Sequence, residues 1–471
     1  MTDDLAWTPA TELARLVRTK ALSPVEVATA VLGRIERVNP AVNAFCTLAP
    51  EPALAAARRA ERAVMRGDAV GPLCGVPYSI KDLSFTAGVR TMSGSHIFAD
   101  RVPDAEPPFV TRLAAAGGVF LGKTTTPEFG WKGLGDSPLT GPTRNPWDPR
   151  MTSGGSSAGA AAAVAAGLGP IHQGSDGAGS IRIPSAFCGI YGLKPSFGRV
   201  PNWPLGNNDY TSHVGPMART VADAALMLAV MAGPHEMDRT SLPDAPADYV
   251  GRLHEGVRGK RFAFSPALGG LRVDPDVARV VREAARAFEQ AGAVVEEVAD
   301  PGFAATHDVI RGLWSAHEAG MYAQHLPRWR DRMDPGLVAC IEDGARLGLL
   351  DYLDLRARKN AYWDTVRPLF ERYDFLLTPT LSVAAFEVGR LNPAHWPQHA
   401  WDWIGWASFC YPFNFTQQPA ASCPAGFTPA GLPVGLQIVG RRHADLAVLQ
   451  ASAAFEQARP WADRRPALPR A

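Results

Sequence analysis

Apolar side chains recur at helical spacing over residues 9–19 and again over 24–38, and Ser23-Pro24 supplies an N-cap followed by a first-turn proline. A third helical stretch, AAARRAERAVMR (55–66), continues this N-terminal region. The period then changes. VPYSIKD (76–82) is a short apolar run that ends in two charged residues and predicts a strand. GVFLGKT (118–124) predicts a second strand, preceded by a helix over 109–116. From 141 to 200 the chain is rich in Gly, Ser, Ala and Pro. AGAAAAVAAG (158–167) and IYGLKPSFGRV (190–200) are nevertheless too apolar for a linker, so this segment reads as core with tight turns.

The second half repeats the alternation. KRFAFSP (260–266) predicts a strand, 274–292 a helix stopped by Gly292, and AVVEEV (293–298) another strand. Several helices over 301–370 lead to the strand DFLLTP (374–379). In HWPQHAWDWIGW (395–406), Trp396, Trp401, Trp403 and Trp406 crowd together, and two roles compete for them: core packing and an apolar wall facing a substrate. GLPVGLQIVG (431–440) predicts a last strand and 445–461 a last helix. Mixed βα alternation without internal repeats predicts an α/β protein, either one large domain with an elaborated edge or two merged lobes.

Composition narrows the partners more than the fold. The 471 residues carry 47 basic and 46 acidic side chains without long runs, so neither nucleic acid nor an anionic membrane is an expected partner; a small, weakly charged molecule is. Hydrophobic residues make up 46% and charged residues 20%, enough to bury a large core. The six cysteines are scattered without a CxxC pair, which argues against a zinc site or a disulfide framework and suits reduced thiols in the cytoplasm. Acidic residues follow Met1 where a leader would be basic, and no apolar run is long enough to span a bilayer. Oligomeric state carries no signal, and a homodimer is compatible with the sequence.

Two motifs fail on their context. GGVFLGKT (117–124) fits the P-loop expression, but Val119, Phe120 and Leu121 occupy the place of the phosphate-cradling loop, and Thr124 runs into Thr125, Thr126 and Pro127 rather than a helix. GSSAG (155–159) centres a GxSxG elbow on Ser157, but the preceding RNPWDPRMTSG (144–154) has two prolines and no apolar run to form the required strand. None of the eleven histidines sits in an obvious triad context.

What remains is a pair of glycine-dense turns that each present serine, TSGGSSAGAAAAVAAG (152–167) and GSDGAGSIRIPSAFCG (174–189). Glycine lets backbone amides approach a reacting carbonyl, so the amides of Gly177, Ala178, Gly179 and Ser180 are candidates for an oxyanion hole. Taken singly, each turn reads more readily as an ordinary glycine turn with a capping serine.

Together these stretches resemble the amidase signature family. The likeness extends through GVPYSIKD (75–82), GKTTTPEFGWKG (122–133) and FTQQPAASCPAGFTPAGLPVGLQIVG (415–440), which with the adjoining serine turns taken as one block make four separated blocks in the same order and spacing. The resemblance implies one amidase domain over 1–471, a single α/β/α sandwich around a large mixed β-sheet, with 71–220 and 374–461 as the catalytic core. Residues 221–373 and 390–410 would shape the substrate. It implies a hydrolase of carboxylic amides, with aryl amides, esters or carbamates within reach of the same acyl chemistry, that needs no metal or cofactor. Ser180 would form the acyl-enzyme, and Ser156 would bridge it to Lys81 after a cis Gly155–Ser156 peptide. Asp176 and Arg182 would support the nucleophile loop, and Gly130, Trp131 and Lys132 would line the acyl group. Where the family often has DTGGS, this chain has Asp176-Gly177-Ala178-Gly179-Ser180, so the Ala178 methyl is expected to narrow the space above the oxyanion hole.

A lysine serves as a base near neutrality only if its pKa falls from about 10.4 to about 7, which takes roughly 4–5 kcal/mol of differential interaction. Burial supplies a shift of that sign, and the positive end of the Ala-rich helix after Ser156 would add to it. The competing reading is a glutaminase subunit of an aminoacyl-tRNA amidotransferase, which the same signature serves and which needs partner chains. A binding protein that merely retains the fold ranks below both, because Lys81, Ser156 and Ser180 are all present.

Overall fold

The computed structural model describes residues 2–206 and 210–468. Its first long helix, Pro24–Val42, begins as its sequence dictates. Ser23 Oγ accepts from the amides of Val25 and Glu26, and the Glu26 carboxylate accepts in return from the Ser23 N–H, a reciprocal cap that satisfies donors a helix start otherwise leaves unpaired. Helices at Ala10–Arg18, Pro50–Arg66 and Pro108–Ala115 follow the predicted pattern.

Among the described residues the strands are β1 (Phe45–Leu48), β2 (Pro77–Lys81), β3 (Val119–Thr124), β4 (Asp136–Ser137), β5 (Gly141–Pro142), β6 (Ile171–Asp176) and β7 (Tyr191–Lys194). After them come β8 (His213–Ala218), β9 (Arg261–Phe264), β10 (Val294–Glu297), β11 (Phe375–Pro379), β12 (Ala420–Phe427) and β13 (Pro433–Gly440). Eleven of these form one sheet in the order β1-β3-β2-β6-β8-β7-β12-β13-β11-β9-β10, and β4 pairs only with β5. The sheet is mixed: β3-β2-β6 and β11-β9-β10 run parallel, whereas the pairs from β6 through β8, β7, β12 and β13 to β11 are antiparallel.

Period-2 alternation sends the two faces of each strand into different cores. Phe262 and Phe264 of β9, Phe375 and Leu377 of β11, and Leu436 and Ile438 of β13 join one apolar cluster, with Val277, Val281 and Phe455 from helices Pro275–Ala285 and Asp445–Ala458. Ala263, Leu376 and Val439, from the same strands, face the opposite cluster, with Ile183, Leu313 and Ile341. This is an α/β fold with helices on both faces of a large mixed sheet, the architecture expected.

Two predicted boundaries move. The expected helix over 274–292 divides at Arg286 into Pro275–Ala285 and Ala287–Gln290, and the bend brings Phe288 into a ring stack with Phe262 and Phe455. The last helix stops at Ala458, two residues before Pro460, because the residue preceding a proline is pushed out of helical geometry. The Ala158–Ala166 helix is buried all round, which explains its lack of amphipathic period. The six cysteines are free, and no described helix is long and apolar enough to cross a membrane.

Candidate active site

Lys81 ends β2, between β3 and β6, and its own N–H donates to Gln173 Oε1 (3.0 Å) on β6. Its side chain is completely buried. Nζ lies 2.7 Å from Ser156 Oγ and 3.1 Å from Ser175 Oγ. Burial lowers its pKa to about 7, against the opposing field of the Asp176 carboxylate. A buried amine whose hydrogen bonds go to two hydroxyls rather than to a carboxylate has no compensation for carrying a proton.

Ser156 sits in the first Gly/Ser turn, after a cis Gly155–Ser156 peptide. Residue 155 has to be glycine: a Cβ there would fall 2.1 Å from the Leu134 carbonyl oxygen. The next residue stitches the two turns together. Ser157 N–H donates to the Ser180 carbonyl (3.1 Å), and Ser157 Oγ donates to the Ser175 carbonyl (3.1 Å) while accepting from the Ser175 amide (3.2 Å). The serine at the centre of GxSxG is thus a cross-brace, and Ala158–Ala166 begins immediately after it. Ser180, by contrast, has no hydrogen bond to its Oγ among the described residues, and Ser180 and Ser156 line one cavity.

Asp176 and Arg182 are both buried and form a two-pronged ion pair, Nε to Oδ2 and Nη2 to Oδ1, each 2.9 Å. The remaining donors of Arg182 reach the Cys410 carbonyl, Gln437 Oε1 and Asn414 Oδ1, and Asn414 Nδ2 returns to Asp176 Oδ1. Burial disfavours the Asp176 charge, but Arg182 overrides it and holds the carboxyl well below the usual range. A buried ion pair is tolerable only when its leftover donors and acceptors are met, as here.

This network changes two expectations for the nucleophile loop. The Gly179 amide, a candidate oxyanion donor, points to Asp176 Oδ1 at 2.7 Å and is committed to holding the loop. The amides of Gly177, Ala178 and Ser180 have no such partner among the described residues. The Ala178 methyl does not narrow the cavity; it is buried in the core beside Ile183. Gly179 has a φ of +125°, and a Cβ there would meet Cys410 Cβ at 2.6 Å, so this position admits only glycine.

The cavity holding Ser156, Ser175, Gly177 and Ser180 has a volume of about 440 Å³, a size suited to a small-molecule ligand. Gly130 lines it, but Trp131 and Lys132 do not. Trp131 is fully buried behind the wall, where its carbonyl accepts from Trp314 Nε1 (2.9 Å) and Trp403 Nε1 (3.0 Å). Lys132 is neither a wall residue nor exposed; it is buried between Asp136 (2.6 Å) and Asp334 (2.7 Å). The Trp-rich segment resolves in favour of packing: Trp401, Trp403 and Trp406 belong to the core cluster, and Trp396 stacks under Arg272.

The aromatic wall comes from Phe129, inside the 122–133 block, and from residues that carried no sequence signal: Phe85, Phe98, Trp203, Trp314 and Tyr322. Ser175 and Gln173 were missed as well. Their alternation on β6 just before the nucleophile turn, HQGSD, was the available clue, since Gln173 and Ser175, two positions apart on that strand, both reach Lys81.

The amidase family profile matches residues 26–449. The chain belongs to the amidase signature family. It is 42% identical to an acylamidase of Rhodococcus erythropolis over 98% of each chain. It is 36% identical to a glutamyl-tRNA(Gln) amidotransferase subunit of Moorella thermoacetica over 99% of each. Among solved structures, a bacterial aryl acylamidase of the amidase signature enzymes superposes with a TM-score of 0.89 at 34% identity, covering 97% of both chains. A substrate complex of 6-aminohexanoate cyclic dimer hydrolase also gives 0.89, at 30% identity over 98% of this chain and 99% of that one. As a family member the protein is a hydrolase of the amidase class.

Proposed function

We propose that this amidase hydrolyses carboxylic amides of apolar or aryl amines through an acyl-enzyme on Ser180, with Ser156 as the proton relay and Lys81 as the base. One observation carries the reading: the completely buried Lys81 amine lies 2.7 Å from Ser156 Oγ, at the edge of the cavity that Ser180 also lines. Neutral Nζ accepts the proton of Ser156 as Ser156 takes that of Ser180, and Ser180 Oγ attacks the carbonyl carbon. The amides of Gly177, Ala178 and Ser180 are the donors left for the oxyanion. The C–N bond then breaks, the relay runs backwards to protonate the leaving amine, and water attacks the acyl-enzyme to release the carboxylic acid and free Ser180. Asp176 and Arg182 position the loop and touch no reacting atom.

The aromatic lining supports an aryl or otherwise apolar substrate, and the likeness to two acylamidases points the same way. Residues 71–220 and 374–461 supply the catalytic core of one amidase domain over 1–471, while the helical part of 221–373 supplies much of the wall. Glutamine as substrate has weaker support. The cavity does contain Arg101 and Glu318, an arginine and an acid. Arg101, however, donates to the Thr91 carbonyl and Ser93 Oγ and is stacked on Phe85 and Phe98, which leaves it poorly placed to grip a free carboxylate. A hydrolysis screen of anilides, aliphatic amides, carbamates, p-nitrophenyl esters and glutamine, with Ser180→Ala as blank, tests the reading. Anilide turnover that vanishes in the blank is expected; turnover that survives it, or glutamine as the best substrate, overturns the proposal.

A further inference from the structure

Helix His307–Tyr322 presents Trp314, His317, Glu318, Met321 and Tyr322 to the catalytic cavity, the i, i+3, i+4, i+7, i+8 stripe of a single helical face. Its two aromatic members are fixed. Trp314 is held by its hydrogen bond to the Trp131 carbonyl, and Tyr322 stacks on Phe129 with ring centres 4.0 Å apart and planes 6° from parallel. Between them, one turn from each, stands a carboxylic acid.

Glu318 is 9% exposed, and its Oε2 has no hydrogen-bond partner among the described residues. Such an arrangement is costly, because the group has given up water without a replacement, and buried polar atoms are almost always satisfied. The other carboxyls buried around this site do have partners. Glu128 accepts from Ser95 Oγ and the Asp334 amide, Asp82 from the Met92 amide, and Asp176 from Arg182. An unpaired carboxyl in the wall of a ligand-sized cavity is left with the ligand as its partner.

We propose that Glu318 is the specificity-determining residue of this site, and that it pairs with a hydroxyl or amino substituent on the aryl part of the substrate. The inference deepens the reading of the cavity as an amide-hydrolysing site and rests on it. A hydroxyl suits the position because it both gives and takes a hydrogen bond. Burial pushes the Glu318 carboxyl up to about 8, so near neutrality it keeps its own proton and can do the same. The favoured class is therefore the amides of hydroxylated or amino-substituted arenes, over the same amides bearing methyl.

The test is a matched set of anilides carrying hydrogen, methyl, hydroxyl or amino at the ring, measured as kcat/KM with the wild type, Glu318→Gln, Glu318→Met and Glu318→Ala. The wild type should favour hydroxyl over methyl by about ten- to a hundredfold, as expected where a buried polar group goes unpaired with the wrong substrate. Glu318→Gln, which still donates and accepts, should keep most of that ratio. Glu318→Met should erase it through KM rather than kcat, the mark of a binding contact. Glu318→Ala gives the same answer should the Met variant not fold. A hydroxyl-to-methyl ratio that is the same in the wild type and in the apolar variants overturns the assignment and leaves the amide reading standing. Absence of anilide hydrolysis in the wild type overturns both.

Discussion

The surroundings of Lys81 and of Lys132 hold the same side chain at nearly the same burial and give it opposite character. Lys132 sits between the carboxylates of Asp136 and Asp334, which together overcome the burial that works against its charge and hold its pKa above the ordinary value. Lys81 has two hydroxyls in that place, and the one carboxylate in its field, Asp176, is committed to Arg182. Its pKa falls to about 7. Burial alone does not make a base; burial without a counter-ion does. One lysine is a strut, and the other is free to accept a proton.

Substitutions at the two sites should therefore separate activity from stability, with the nucleophile setting the scale. Ser180→Ala should cost on the order of 10⁵-fold or more in kcat. Its Oγ makes no hydrogen bond to the described residues, so the thermal midpoint should move little. Retained turnover would remove Ser180 from the mechanism.

Lys81→Met should lower kcat on anilides by about 10³- to 10⁴-fold, and by less on p-nitrophenyl esters, whose leaving group needs no proton. The same variant should be more stable than the wild type. The folded pKa of about 7 lies below the ordinary value of 10.5, so at pH 7 the unfolded chain keeps a proton that the folded one resists. That difference is worth about 5 kcal/mol, offset by two lost hydrogen bonds of about 1 kcal/mol each. A gain of about 3 kcal/mol in urea unfolding at pH 7 is expected, shrinking as the pH is raised toward about 10.5. An equal loss on amides and esters would contradict the acid role of Lys81.

Lys132→Met should do the reverse. It strands Asp334 and Asp136, and should cost about 3 kcal/mol of stability while leaving the anilide-to-ester ratio unchanged. A shifted ratio would return Lys132 to the substrate wall. The smallest effect belongs to Trp403→Phe, which removes one of the two donors to the Trp131 carbonyl. It should cost about 1 kcal/mol in thermal or urea unfolding, with KM unaltered; a raised KM would mean that the Trp segment faces substrate after all.

The sequence disclosed these regions unequally. Gly155 and Gly179 each have to be glycine because backbone or a neighbouring Cβ occupies the space of a side chain, so the turns bearing Ser156 and Ser180 are written into the chain as compositional blocks. The strand ending at Lys81 and the capped helix at Pro24 follow equally local rules. Which tryptophan faces the cavity does not. Trp131 and Trp314 are the same residue type, yet only Trp314 lines the cavity, its Nε1 donating to the Trp131 carbonyl, a matter of packing between segments 183 residues apart. For the same reason Glu318 looks like any acid on an amphipathic helix until the cavity is in place.

An uncharged Lys81 coupled to Ser180 is tested most directly by the rate at which a fluorophosphonate labels Ser180 as a function of pH, in the wild type and in Lys81→Met. The rate should fall below an ionisation near pH 7 in the wild type, as the amine takes up its proton, and become slow and without that step once the lysine is replaced. The same ionisation persisting in Lys81→Met, or a wild-type rate that climbs only above about pH 9, near the range of an ordinary lysine, would contradict it.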